Sequence, residues 1–164
     1  MPKKTEESPK GKELQLVIFR LRQEEFGAEI ASVLEITRML EITRIPEAPG
    51  FVEGVVNLRG QVIAVIDLAK QFGLAAQREF PKTARIVVAE MAGETIGLIV
   101  DEVPEVLRVA EAEIEPTPEI IQTEVKHDYV RGVAKLGERL ILLLDLAKVL
   151  APQELAGVGK ATKG

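Results

Sequence analysis

Side chains that carry most enzymatic and metal chemistry are scarce in this chain of 164 residues. It contains no cysteine, no tryptophan, a single histidine (His127), a single tyrosine and two serines. The absence of cysteine excludes a thiol nucleophile, a disulfide framework and a cysteine-rich zinc site. The lone histidine has no nucleophile to activate, and we interpret it as a solvated loop residue. We therefore predict that the chain is not an enzyme and holds no metal or cofactor.

An excess of positive charge and long apolar runs are missing as well. The 21 lysines and arginines are outnumbered by 26 aspartates and glutamates, which gives a net charge of −5. Such a surface repels phosphate backbones, and five phenylalanines and one tyrosine are few for base stacking. The longest aliphatic runs, residues 62–66 and 140–144, are far shorter than the roughly 20 residues of a spanning helix. These features argue against nucleic-acid binding and membrane insertion, and they predict a cytoplasmic protein.

Apolar content divides the chain into a central folded region and two polar ends. Residues 1–13 contain lysine, glutamate, proline and glycine with almost no apolar side chain, and residues 151–164 are similar. Segments of this composition cannot bury enough surface to offset their ordering entropy. We predict a flexible N-terminal arm over 1–13, a folded region over 14–150 and a flexible C-terminal tail over 151–164.

The folded region contains an internal duplication, which is the most informative pattern in the sequence. A series of similar segments occurs twice, in the same order, in the first and second halves of the folded region. The motif Asp-Leu-Ala-Lys recurs unchanged at the end of each copy. The copies align at an offset of 70 residues, and at 78 after an eight-residue insertion in the second copy. The matched segments are 14–19 with 84–89, Glu35 with Glu105, 51–55 with 129–133, and 67–70 with 145–148.

Each copy has the pattern of short β-strands joined by tight turns. The stretch 30–37 could equally be one face of a helix, but Pro104 lies in the matching stretch and would break a helix interior. Short strands close most economically into small barrels, and barrels of this size are marginal alone. We therefore predict a mainly β fold of two packed barrels with a shared core, over about 14–80 and 81–150. An exchange of chain ends between these subdomains is left open.

Two pairs of repeated carboxylates are candidate catalytic or structural groups. Asp67 and Asp145 each follow an aliphatic strand and precede Leu-Ala-Lys, so they could form an acid–base pair or cap the short helices that follow. We favour the helix caps, because both copies carry the aspartate in the same context. Glu35 and Glu105 each precede an arginine by three residues, which suggests a local ion pair or an exposed face.

Arg59 is the candidate binding residue that differs between the copies. It lies in Asn57-Leu58-Arg59-Gly60, at the tip of a predicted hairpin, and its counterpart is Gly137. Duplicated halves keep what folding needs, so an asymmetric turn residue is a candidate for use outside the fold. Its planar guanidinium could bind a carboxylate or a backbone carbonyl of a partner. An ordinary solvated turn arginine is the alternative.

These residues give the chain a resemblance to a known family, the CheW-like chemotaxis adaptors. The resemblance covers residues 14–150 and rests on order and spacing. Ala64 departs from it, since the family often has proline there. The motifs that carry it are Phe-Gly-x-x-Ile-x-x-Val-x-Glu-Ile over 26–36, Ile-Pro over 45–46 followed by Ala-Pro-x-Phe-Val-x-Gly-Val over 48–55, and Asn-Leu-Arg-Gly-x-Val-Ile-x-Val-Ile-Asp-Leu over 57–68.

The resemblance implies both a fold and a function. The fold would be two SH3-like five-stranded barrels. The function would be a non-enzymatic scaffold that couples methyl-accepting chemoreceptors to the histidine kinase CheA in bacterial chemotaxis, or a related non-flagellar chemosensory array. Its partners would be the cytoplasmic tip of the receptor and the C-terminal regulatory domain of CheA, in arrays at the inner membrane. The partner-binding residues carried over by motif are Arg59, Glu35, Val33, Gly54 and Asn57.

Overall fold

The computed structural model describes residues 12–116 and 129–150, together with residues 154 and 157. His127, most of the predicted N-terminal arm and most of the predicted tail lie outside the described residues. No helix within these ranges is long and apolar enough to cross a membrane. The strands are β1 Glu13–Leu21, β2 Glu24–Glu29, β3 Val33–Arg38, β4 Val52–Leu58, β5 Gln61–Asp67, β6 Arg85–Met91, β7 Glu94–Val100, β8 Glu102–Ala110, β9 Ile114–Glu115, β10 Val130–Leu136 and β11 Arg139–Leu144.

Between residues 12 and 116 the helical elements are single turns, and another such turn follows β11. Helix α1 spans Leu68–Gln71, and 3-10 turns span Ile30–Ser32, Glu111–Glu113 and Leu146–Lys148. The strand predicted over 30–37 begins only at Val33, because Ile30–Ser32 forms one of these turns. In the second copy, Pro104 lies within β8, as predicted.

The strands form two sheets, and each sheet takes strands from both copies. The five-stranded sheet has the order β3-β6-β7-β5-β4, and the six-stranded sheet has the order β9-β10-β11-β2-β1-β8. The first two strands of each copy thus join the later strands of the other copy. The parallel pairs β5–β7 and β11–β2 connect them. The predicted mainly β class is confirmed.

Each sheet closes on itself through the segment that follows its edge strand. After β3 the chain turns back, and Thr43 pairs with Val55 on β4 at the opposite edge, with N···O distances of 2.9 and 2.8 Å. In the six-stranded sheet, β8 leads into β9, which pairs with β10 in the same way. Each closed sheet is therefore a barrel of five principal strands, in agreement with the SH3-like architecture implied by the resemblance.

A glycine allows the backbones to approach at each closure. A Cβ atom at Gly54 would lie 2.4 Å from the carbonyl oxygen of Thr43, and one at Gly132 would lie 2.6 Å from that of Glu115. Contacts this short are sterically forbidden, so any larger residue would push the closing segment away. The two copies keep glycine at equivalent positions because both barrels close by the same contact.

Apolar side chains form a small cluster inside each barrel and a larger one between the barrels. The larger cluster contains a row of four aromatic rings. Phe72 stacks on Tyr129 with 4.6 Å between the ring centroids, and Phe26 lies 5.9 Å from Phe72 and 6.1 Å from Phe19. Phe72 follows β5 of the five-stranded sheet, whereas the other three rings lie in or next to strands of the six-stranded sheet. The two barrels therefore share a core, as the sequence predicts.

The repeated aspartates cap the turns that follow them. The carboxylate of Asp67 accepts the N–H of Ala69 at 3.2 Å and that of Lys70 at 3.5 Å. Asp145 accepts the N–H of Ala147 at 3.1 Å. These bonds satisfy donors that a helix start leaves unpaired, which confirms the capping interpretation.

Substitution of Gly54 by alanine should destabilise the fold by opening the first barrel closure. We expect Gly54→Ala to lower the free energy of unfolding by about 1–3 kcal/mol, because the added methyl group meets backbone and not a flexible side chain. Urea denaturation followed by circular dichroism measures the difference. Gly50→Ala is the matched control, since a Cβ there contacts nothing within 4 Å. Equal stability of the two variants would contradict the role assigned to Gly54.

Candidate functional site

The turn between β4 and β5 holds Arg59 in a left-handed backbone conformation, which favours glycine. Arg59 has φ 52° and Gly60 has φ 91°, the two positive angles of a tight hairpin turn. Asn57 shapes the turn, because its Oδ1 accepts the N–H of Gly60 at 2.6 Å. The equivalent residue in the second copy is Gly137, with φ 64°. Backbone preference favours glycine at both places, and arginine at position 59 adds a charged side chain that the second copy lacks.

The guanidinium of Arg59 forms a two-pronged ion pair with Glu35. Nη1 donates to Oε1 of Glu35 at 3.0 Å, and Nη2 donates to Oε2. Glu35 lies on β3 and Arg59 follows β4, which are the two edge strands that meet when the barrel closes. The partner of Glu35 is therefore Arg59 and not Arg38, three residues further along the chain.

Both charges remain accessible to a partner. The Arg59 side chain is 71% exposed and that of Glu35 is 27% exposed. Exposed ion pairs contribute little to folding stability. This pair therefore contributes little to stability, and its main effect is to fix the position of the charges. The carboxylate of Glu35 orients the guanidinium, whose other side is open to solvent.

The ion pair shifts the titration of both groups. The hydrogen bond from Arg59 lowers the pKa of the Glu35 carboxyl below its ordinary value, and its charge acts in the same direction. In turn the hydrogen bond to Glu35 raises the pKa of Arg59. Both groups therefore stay ionised throughout the neutral range.

A cleft of about 380 Å³ lies beside the pair. Apolar side chains lie around it, including Leu34, which is 57% exposed on the outer edge of β3. The site thus combines a charged fork with exposed apolar surface, which is the composition of a protein-docking surface more than of a catalytic pocket. The residues that line the cleft are Leu34, Glu35, Leu58, Arg59, Gln61, Val88 and Thr95.

The other predicted site residues have different places. Asn57 is exposed beside Arg59, and Val33 is half-buried two residues before Glu35 on β3, where it packs against the core between the barrels. Gly54 is buried at the barrel closure, so any effect on binding would pass through the position of the closing segment. We call the exposed residues Leu34, Asn57 and Arg59, together with the half-buried Glu35 and Thr95, the Arg59 surface.

Leu34 and Thr95 were not predicted as site residues. Alternation along β3 does not identify Leu34, because the register of β3 against β6 shifts between Val33 and Glu35. Thr95 lies on β7 and reaches the site only because strands are exchanged between the copies. No local pattern in the sequence indicates that placement.

The second barrel carries a related pair of different construction. Arg139, the first residue of β11, binds Glu105 at 2.8 Å and Glu25 at 3.2 Å. Here too the glutamate pairs across the barrel and not with the arginine three residues further along. The turn before β11 contains Gly137 and no arginine, so the exposed fork of Arg59 has no counterpart there.

Comparisons with known proteins agree on one family. A family model described as the CheW-like domain matches residues 15–154. The chain is 34% identical over 149 residues to "Chemotaxis protein CheW" of Klebsiella aerogenes, covering 91% of this chain and 89% of the relative. It is 36% identical over 142 residues to "Probable chemotaxis protein CheW" of Rhizobium etli, covering 85% and 89%. The solved structure of the scaffolding protein TtCheW from Thermoanaerobacter tengcongensis matches with a TM-score of 0.76 and 40% identity, covering 84% of this chain and 92% of that one.

Removal of Arg59 should raise the pKa of Glu35. We expect the pKa of the Glu35 carboxyl to lie below its ordinary value in the wild type and to return toward that value in Arg59→Ala, because the hydrogen bond that favours its charged form is lost. Since the folded-state pKa is the lower one, the pair's contribution to stability is present above the unfolded pKa and is lost as the pH falls. A carbon-13 NMR titration measures both midpoints. Arg38→Ala should leave the Glu35 midpoint unchanged, and an unchanged midpoint in Arg59→Ala would contradict the pairing.

Proposed function

The chain belongs to the CheW-like family, and on that premise we propose that it is a coupling adaptor whose Arg59 surface takes part in linking methyl-accepting chemoreceptors to the histidine kinase CheA. The observation that carries the proposal is the exposed guanidinium of Arg59, held by Glu35 in a turn where the other copy has glycine. A side chain kept against backbone preference and left open to solvent is suited to contact a partner.

The composition of the Arg59 surface fits a receptor tip, which is a helical hairpin. The apolar face of a helix can pack against Leu34 and the cleft beside it, while the guanidinium binds a carboxylate or a terminal carbonyl at the edge of the contact. Apolar contact would supply most of the binding free energy, and the charged fork would select the orientation.

The kinase partner would be bound through contact between similar barrels. The regulatory domain of CheA is itself CheW-like, so two similar barrels would meet end to end. In this arrangement the adaptor lies in the cytoplasm beneath the receptors and is recruited to their arrays by its contacts alone. We propose the receptor tip and the CheA regulatory domain as the two partners.

Signal transfer of this kind requires no chemical step in the adaptor. A receptor in its two states presents different contacts, and the adaptor passes the difference in binding free energy to the kinase. The scarcity of cysteine, histidine and serine fits such a role. We therefore propose a scaffold without catalytic activity.

Loss of Arg59 should weaken partner binding without unfolding the protein. We expect Arg59→Gly to reduce the affinity for a receptor-tip fragment, for the CheA regulatory domain or for both by roughly tenfold or more. Glycine suits the turn, so the variant keeps its backbone, and thermal unfolding should occur at or above the wild-type temperature. Isothermal titration calorimetry against each purified partner measures the affinities.

The matched control is Arg131→Ala, which also removes an exposed arginine–glutamate pair but lies on the six-stranded sheet. It should bind both partners as the wild type does. Wild-type affinity of Arg59→Gly for both partners would contradict the role of the Arg59 surface. Failure of the wild type to bind either partner would contradict the proposed function itself.

A further inference from the structure

A charged cluster between the two barrels takes no part in the Arg59 surface. Its centre is Arg78, in the segment that links the two copies, and its side chain is 12% exposed. The guanidinium donates to Asp67 at 2.9 and 3.0 Å and to Asp101 at 2.7 and 3.1 Å. The side chains of Asp67 and Asp101 are 1% and 12% exposed, so one cation holds two buried carboxylates.

The cluster connects one barrel with the other. Asp67 ends β5 of the five-stranded sheet, whereas Asp101 occupies the crossover from β7 to β8, where the chain passes into the six-stranded sheet. Asp101 also accepts the N–H of Arg22 at 2.8 Å, and Arg22 is at the tip of the β1–β2 hairpin. A continuous chain of hydrogen bonds therefore runs from one barrel through Arg78 to the other. We call Arg22, Asp67, Arg78 and Asp101 the polar joint.

The duplication shows that the opposite side of the interface lacks this joint. At an offset of 70 residues, Asp101 corresponds to Ala31 and Arg22 corresponds to Ala92. Ala92 has the same turn conformation as Arg22, with φ 51° against 61°. Ala31 has no carboxylate that could accept the N–H of Ala92. The same crossover therefore occurs twice in the fold. Among the residues that the structure describes, a carboxylate of the crossover binds the neighbouring hairpin turn in one case, and an alanine occupies that position in the other.

Strand pairing shows the same asymmetry independently. On the side of the joint, β1 and β8 stay paired up to Arg20 and Glu102, beside the crossover, and the N–H of Asp101 donates to the carbonyl of Arg20 at 2.9 Å. On the other side, the pairing of β6 with β3 stops at Val33. The preceding residues form the 3-10 turn Ile30–Ser32, which is exposed.

From these observations we infer that the polar joint is a hinge: it fixes the two barrels on one side of their interface, and relative motion of the barrels opens the opposite side, at Ala31 and Ala92. The apolar cluster between the barrels can slide slightly because packing is not directional, whereas the joint has a fixed fork geometry. The joint therefore determines which edge of the interface moves.

The opening edge borders the Arg59 surface. Ala31 lies three residues before Leu34, and Ala92 lies three residues before Thr95. Leu34 and Thr95 lie on strands of the same five-stranded sheet, so motion there would leave their separation unchanged and would shift the six-stranded barrel relative to the Arg59 surface. The relevance of this motion to partner binding rests on the proposed function. The hinge itself is a property of the free chain.

Spin-label distances in the free protein test the hinge directly. The chain contains no cysteine, so two introduced cysteines can be labelled without background. One pair, Gln23→Cys with Arg85→Cys, spans the barrels beside the joint. The other, Gln15→Cys with Ala92→Cys, spans them at the corresponding hairpin turn on the other side. Double electron–electron resonance should give a narrow distance distribution for the first pair and a broader one for the second.

Arg78→Met should broaden the first distribution to the width of the second and leave the second unchanged. Arg78→Lys keeps the charge but not the fork, and it should give an intermediate width if the methionine variant does not fold. Lys135→Met, which removes the ion pair with Glu115 within the six-stranded sheet and away from both crossovers, should change neither width. Equal widths of the two pairs in the wild type would overturn the proposal, as would a first pair that stays narrow in a folded Arg78 variant. None of these outcomes depends on a partner, so the hinge and the proposed function can fail separately.

Discussion

Burial of an aromatic row between the barrels is the interaction on which the rest of the structure depends. Each barrel encloses only a small apolar cluster of its own. Barrels of this size are only marginally stable when separate, because they bury a small fraction of their surface. Phe26 and Tyr129, in or next to strands of the six-stranded sheet, both contact Phe72, which follows β5 of the five-stranded sheet. Because the first two strands of each copy are exchanged, the two copies cannot separate without breaking both sheets, whereas the aromatic row holds the two barrels together.

The duplication separates what folding requires from what differs. Glycine at 54 and 132 and aspartate at 67 and 145 recur because both copies need the same closure and the same cap. Arginine stands against glycine at 59 and 137, and aspartate stands against alanine at 101 and 31. These asymmetric positions lie at the exposed fork and at the joint between the barrels. The residues that the two copies share thus maintain the fold. The positions that differ between the copies include the turn that carries Arg59 and the polar joint.

Local patterns predicted the strands, the caps and the two-barrel class, because alternation, proline placement and capping chemistry act over a few residues. They did not predict which arginine binds Glu35. Spacing pointed to Arg38, whereas barrel closure brings Arg59 across from the other edge strand. The same limit applies to Thr95 and Arg78, whose partners lie on strands exchanged between the copies. Barrel closure and strand exchange depend on pairing between distant parts of the chain, so a pattern over a few neighbouring residues does not reveal them.

The central claim is that partners are bound at the Arg59 surface. The most direct measurement is a chemical-shift titration of the nitrogen-15-labelled protein with an unlabelled receptor-tip fragment and, separately, with the CheA regulatory domain. The account predicts that, for at least one partner, the largest amide shifts occur at Leu34, Glu35, residues 57–61 and Thr95. Shifts confined to the six-stranded sheet with both partners would contradict it.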